Sequence, residues 1–181
     1  MTETTTTGAT SSLADGTAAG NWVLDPAGSL AQFAVKHFWG AITVRGTLGP
    51  ITGEATVSPD GTVTGRISFD ANSLDTNNKQ RDKHLRSADF FHVDKHPQAV
   101  LTVTSARPAG PAELECQGTL EAAGHVRPVT FTAHIQEATA QAAVLTAELK
   151  VDRTHFDMTW SPLHIASMRA RGTMTARFVR A

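Results

Sequence analysis

Three runs of the chain alternate apolar and polar residues without a break. They are Val63-Thr64-Gly65-Arg66-Ile67-Ser68-Phe69-Asp70, Leu114-Glu115-Cys116-Gln117-Gly118-Thr119-Leu120 and Val129-Thr130-Phe131-Thr132-Ala133-His134-Ile135. A period of two puts every second side chain on one face of an extended strand. A helix would scatter the same residues around its surface. Each run therefore needs one dry face and one wet face, which is the habit of antiparallel sheets. Further candidate strands are Ser29 to Phe38, Ala41 to Leu48, Ile51 to Ser58, Ala99 to Ala106, Ala143 to Val151 and Gly172 to Val179. Val and Thr enrichment supports them. Turn chemistry separates them at Asp25-Pro26-Ala27-Gly28, Gly49-Pro50, Pro59-Asp60-Gly61 and Pro108-Ala109-Gly110-Pro111.

Strands joined by short turns predict a meander, hence a barrel or a sandwich. The inward set is Phe33, Val35, Val44, Gly46, Leu48, Ile67, Phe69, Val103, Leu114, Leu120 and Phe131. Either architecture can bury it, so alternation alone leaves the choice open. The interior glycines Gly46, Gly65 and Gly118 point to sharply coiled strands or to space kept for a ligand.

One segment breaks the β pattern. Asn77 to Ser87 reads as a short helix, with Asn77 and Gln80 in capping-box spacing. The run Arg81-Asp82-Lys83-His84-Leu85-Arg86 leads into Ser87-Ala88-Asp89-Phe90-Phe91. The expectation is a cover at one barrel end. Leu85, Phe90 and Phe91 then face the apolar interior, while Arg81, Asp82 and Arg86 face water or the rim. Asp82, among Arg81, Lys83 and Arg86, is expected in local ion pairs.

With 181 residues, a single domain over 21–181 is expected. Residues 1–20, rich in Thr, Ser, Ala and Gly, read as a disordered tail. A net charge of −1 gives no electrostatic case for nucleic acid. Cys116 is the sole cysteine, so no intramolecular disulfide can form, and its place in an alternating run reads as a buried structural thiol. The N-terminus has no basic start and no apolar core, so an ordinary secretory signal is excluded. A cytosolic protein is expected, or a mature form whose signal has been removed. No run approaches the ~20 apolar residues of a membrane span.

Enzymatic motifs are missing: the sequence has no Gly-x-Ser-x-Gly elbow, P-loop or dinucleotide fingerprint, and no tyrosine. His92 and His96 have helical i, i+4 spacing with His84 upstream, but Pro97 and the adjacent aromatics point to a loop. No Cys or Glu partner stands nearby, so neither metal nor cofactor is expected. Asp82 and Asp89 read as solvated helix charges. His37 shares a face with Phe33 and Val35; it is either a core histidine or a polar group meeting a ligand's head. Arg153 reads as a brace at a barrel end, and Trp39 and Trp160 as rim residues or core.

The ordered set of short motifs resembles the YceI-like family of polyisoprenoid-binding, lipocalin-like proteins. It comprises Leu24-Asp25-Pro26 with Ser29, Phe33-Ala34-Val35-Lys36-His37-Phe38-Trp39-Gly40, Val44-Arg45-Gly46, Ser73-Leu74-Asp75-Thr76, the run Arg81 to Phe91, and His96-Pro97. Gly118-Thr119-Leu120, Arg127-Pro128-Val129 and Asp152-Arg153-Thr154 follow. Phe156-Asp157-Met158 departs from a more usual Phe-Gly, and His125 stands near a usual threonine-lysine type turn. The resemblance implies an eight-stranded antiparallel, lipocalin-like barrel with one short helix and an apolar channel. It implies a non-enzymatic binder of a long apolar molecule: a polyisoprenoid, an isoprenoid quinone or a similar amphiphile. Homodimers occur in the family, so a homodimer is a further expectation. The expected ligand contacts are the non-glycine inward set together with His37, Leu85, Phe90 and Phe91. Two alternatives stand beside this: a small hydrolase, isomerase or metal-dependent enzyme using His37, His84 or His92, and a packed scaffold without a ligand.

Overall fold

The computed structural model describes Leu13 and residues 16–181. Its strands are β1 (Gly20–Leu24), β2 (Leu30–His37), β3 (Ile42–Leu48), β4 (Ile51–Val57) and β5 (Val63–Asp70). After the helix α1 (Lys79–Leu85) come β6 (Gln98–Gly110), β7 (Glu113–Ala122), β8 (His125–Ala138), β9 (Ala142–Asp152) and β10 (Ala166–Arg180). All pairings are antiparallel, in the order β1-β4-β5-β6-β7-β8-β9-β10-β2-β3. β1 also pairs with β10, through Trp22 opposite Arg180 and Leu24 opposite Phe178, and this closes the sheet. β1 and β2 succeed one another along β10, and β3 and β4 succeed one another along β2 and β1. The ten segments thus make the eight staves of a closed up-and-down barrel, the expected architecture.

Side-chain chemistry makes the two joints. At the first, the Asp25 carboxylate accepts from Ala27 N at 3.0 Å and from Arg177 Nη1 at 2.6 Å. Ser29 Oγ donates to Asp25 O at 2.7 Å and accepts from Arg177 N at 2.9 Å. The Asp-Pro-x-x-Ser stretch read as a turn is therefore a bend inside one stave, fastened to β10. At the second, Gly49 N donates to Ser73 Oγ at 3.1 Å.

Several boundaries differ from the sequence reading. β1 was not among the expected strands, and β10 begins at Ala166 instead of Gly172. The helix runs over Lys79–Leu85, and Asn78, not Asn77, is its N-cap, accepting from Arg81 N at 3.0 Å. Asn77 sits at φ 60°, a left-handed turn conformation, and an N-cap needs extended backbone. Of the tail expected over 1–20, residues 1–12 and 14–15 lie outside the described residues. Its end is tied to the barrel: Trp22 Nε1 donates to Ala18 O at 3.0 Å, and the Arg180 guanidinium donates to Thr17 O and Ala19 O.

The interior glycines serve close approach of neighbouring strands. A Cβ on Gly118 would run into the carbonyl oxygen of Thr102, opposite a bulge in β6, and one on Gly65 would stand 2.8 Å from Glu54 O. One on Gly46 would collide with the Phe33 ring across the ladder. These positions let neighbouring strands approach and coil.

The strand directions give the barrel two distinct ends. The short turns 58–62, 111–112 and 139–141 and the stretch before β1 gather at one. The long connections 71–97 and 153–165 and the hairpin tip 38–41 gather at the other.

Candidate ligand-binding site

The barrel interior holds two apolar chambers. The first, of about 140 Å³, is walled by Ile67, Val103, Leu114, Cys116, Phe131 and Ile135 and ended by Leu13, Ala18 and Trp22. The second, of about 180 Å³, is walled by Phe33, Val35, Leu48, Phe69, Leu120 and Leu149. Leu101 and Met174 belong to both walls and stand at the waist between them. Alternation along the strands places these residues: the dry face of each run is the barrel's interior.

The connecting segments supply the far wall of the second chamber. Leu85, Phe90 and Phe91 line it from the α1 side, and Arg153, Phe156 and Met158 from the β9–β10 connection. The expected contact residues thus fall into two groups. Ile67, Val103, Leu114 and Phe131 are in the first chamber; Phe33, Val35, Leu48, Phe69, Leu85, Phe90, Phe91 and Leu120 are in the second. His37 and Val44 are in neither wall. Val44 lies opposite Val35 nearer the β2–β3 tip, and His37 lies opposite Ile42 and Ala166 at the strand end.

Of the polar residues of the covering segment, Asp82 turns inward, against expectation, while Arg81 and Arg86 stay half-buried. Asp82 is buried, and its Oδ1 accepts from Thr76 N at 3.0 Å and from Thr76 Oγ1 at 2.5 Å. Arg81 donates to Thr76 Oγ1 at 2.7 Å and to Thr76 O at 2.8 Å. Arg86 donates to Asn72 O at 2.8 Å and to Leu74 O at 2.6 Å. Asp82 forms no ion pair among the described residues. A covering segment without strands must satisfy its backbone groups somehow, and these side chains do it. The connection is thus braced internally, and Asp75 ties it to β3 through Thr47.

Arg153 is the charged residue the sequence reading placed as a brace and left out of the site. It is 6% exposed and is the only charged residue in the wall of the second chamber. Its Nε donates to Ser167 O at 3.0 Å, and its guanidinium lies 5.7 Å from the Phe90 ring centre. Burial lowers its pKa, with the Asp152 carboxylate opposing that shift; an arginine so placed stays charged. Its position at a strand end, after Asp152, was visible in sequence; its burial among aromatics was not.

The histidines are dispersed among different partners. His84 Nε2 meets Asp89 Oδ2 at 2.8 Å and packs edge-on against Trp160, with ring centres 4.3 Å apart. His92 packs against His96. The pKa of His37 is lowered, first by burial and then by the charges of Arg153 and Arg81. No group of three or more His, Cys, Asp or Glu among the described residues is placed to hold a metal ion. Burial raises the Cys116 thiol to about 11, as fits a structural thiol.

The architecture and the motif order are matched by a known family model, that of the YceI-like domain, over residues 22–179. The chain belongs to the YceI-like family. Protein YceI of Salmonella arizonae and of Salmonella newport are each 46% identical over 69 residues. That match spans 38% of this chain and 36% of each Salmonella protein. Among solved structures, Burkholderia cenocepacia BcnA superposes with a TM-score of 0.77 at 17% identity, covering 85% of this chain and 98% of that one. A polyisoprenoid-binding domain from Saccharophagus degradans superposes with a TM-score of 0.72 at 14% identity, covering 88% and 98%. At these identities the likeness speaks for the shared barrel.

Proposed function

We propose that this YceI-like barrel binds a long-chain apolar molecule along its interior, with a polar or anionic end held at Arg153. The observation that carries the reading is a buried guanidinium set in an otherwise uncharged chamber wall. A desolvated cation favours an anionic or strongly dipolar partner. Most of the rest of the lining is apolar and offers burial without directional demands, at about 0.8 kcal/mol per methylene. At roughly 10–15 Å³ of such space per water-sized group, a chain threading both chambers has room for on the order of twenty to thirty heavy atoms. A polyisoprenoid or isoprenoid quinone fits this description, and the Saccharophagus domain is named for polyisoprenoid binding. The ligand role is one of holding and carrying; chemistry on the ligand is not part of it.

Native mass spectrometry on protein from its own host, with lipid extraction, tests the proposal. An adduct of lipid mass that dissociates on denaturation is the expected result. A stripped protein that neither carries an adduct nor binds a fluorescent prenyl analogue would leave the packed scaffold as the reading. Phe69→Ala sharpens the test. Phe69 lines the second chamber, so probe affinity should change while the far-ultraviolet dichroism stays that of a barrel.

A further inference from the structure

At the barrel end that carries Arg153, two loops present large apolar side chains to water. Trp39 is 90% exposed at the β2–β3 tip, and Leu163 is 88% exposed in the β9–β10 connection. Phe38, Ile42 and Trp160 are exposed beside them. The loops are joined, since Phe38 N donates to Ile165 O at 2.7 Å. They are also held in shape: Ser161 Oγ accepts from Ala166 N at 3.0 Å and donates to Ala166 O at 3.2 Å. Phe38, Trp39, Leu163 and His164 all have φ between 51° and 56°, a left-handed region unfavourable for bulky residues. Backbone held in that region by its surroundings is a common mark of a functional loop.

Charge says what meets this face. From residue 27 to residue 53 the chain has no Asp or Glu, and from residue 158 to its end it has none either. These two stretches contain both loops and the strands beside them, with Lys36, Arg45 and Arg169 exposed. Asp152 stands opposite Arg169 at this end, its carboxylate accepting from Thr154, and Asp89 and Asp157 face His84 and His125. An apolar tip with two indoles, carried on stretches that bear exposed cations and no carboxylate side chains, is the chemistry of an anionic bilayer surface. Trp160 packs on His84 and lies 6.1 Å from Phe90, a wall residue of the second chamber, so the face adjoins the interior.

We infer that the β2–β3 tip and the 158–165 loop dock this barrel end onto an anionic membrane surface, with Trp39 and Leu163 entering the interfacial layer. The docking does not depend on what the chambers hold. It sets the end through which a lipid would pass between bilayer and barrel.

Co-sedimentation with phosphatidylcholine vesicles, and with vesicles of equimolar phosphatidylcholine and phosphatidylglycerol, tests it. The full chain should sediment with the anionic vesicles much more than with the neutral ones. The double variant Trp39→Ser, Leu163→Ser should lose about tenfold or more in partitioning. Its dichroism, and its binding of a fluorescent prenyl analogue in solution, should be unchanged, because neither residue lines a chamber. Lys36→Glu with Arg45→Glu should remove the preference for phosphatidylglycerol. Sedimentation equal in wild type and double variant overturns the inference, as does no sedimentation at all. A wild-type dimer that the double variant converts to monomer, without vesicle binding, also overturns it and makes the face an interface between two copies. Loss of prenyl-analogue binding with vesicle binding retained would instead count against the interior site alone.

Discussion

The Arg153 guanidinium lies 5.7 Å from the centre of the Phe90 ring, so a buried cation rests on an aromatic face inside the barrel end. The two residues come from opposite sides of the cover, the β9–β10 connection and the segment after α1. Their contact ties both halves together and leaves the cation facing the second chamber. Cation–π contacts of this kind contribute about 0.5–2 kcal/mol.

Arg153→Met should therefore separate head-group recognition from chain burial. Affinity for a prenyl phosphate or long-chain carboxylate should fall by roughly tenfold or more, the scale of a lost charged hydrogen bond. Affinity for the hydrocarbon of the same length should hold. Calorimetric titration of both ligands checks this, and equal losses would make Arg153 a brace only.

Stability should decline on the acid side through His37. Its folded pKa is held below 6.5, first by burial and then by the charges of Arg153 and Arg81. Well above pH 6.5 the imidazole is neutral in both states and contributes no pH dependence. Below it, the unfolded chain takes up the proton first, so stability is lost as pH falls toward the folded pKa. His37→Gln should flatten that part of the stability profile, measured as denaturation midpoint against pH. A profile of unchanged slope would show that other groups govern it.

Gly118→Ala should be costly. The added methyl meets the Thr102 carbonyl, which is backbone and cannot swing away. A loss of about 3 kcal/mol, the upper end for overpacking, is expected. It would show as a lower urea midpoint with an unchanged slope. A neutral outcome would mean that the β6 bulge has room to relax.

Asp157→Gly should leave stability equal or raise it by up to about 1 kcal/mol, since Asp157 sits at φ 56°. Glycine adopts that conformation freely. The contact that would be lost, 3.3 Å to His125, involves a carboxylate 84% exposed and contributes little. Thermal unfolding checks the sign.

The strand faces were legible in the sequence. Alternation from Val63 to Phe69, from Leu114 to Leu120 and from Val129 to Ile135 named interior residues that do line the chambers. It could do so because a period of two reports which face is dry, whatever the partner strand. The aromatic pair Phe90-Phe91, set after a charged helix, likewise marked the covering segment. Only the tertiary structure decided how the sheet closes. Gly20–Leu24 is too short to show a period, and it becomes a strand because β4 and β10 offer it hydrogen-bonding edges. Nor did local pattern say which charges would be buried. Asp82 looks like a solvent-facing helix residue, yet Thr76 turns it inward. Arg153 looks like a strand-end residue, and Phe90, far off in sequence, makes it the charged element of the site. A sequence fixes the chemistry each position can offer; whether a charge meets water or a buried partner depends on segments brought together only when the barrel closes.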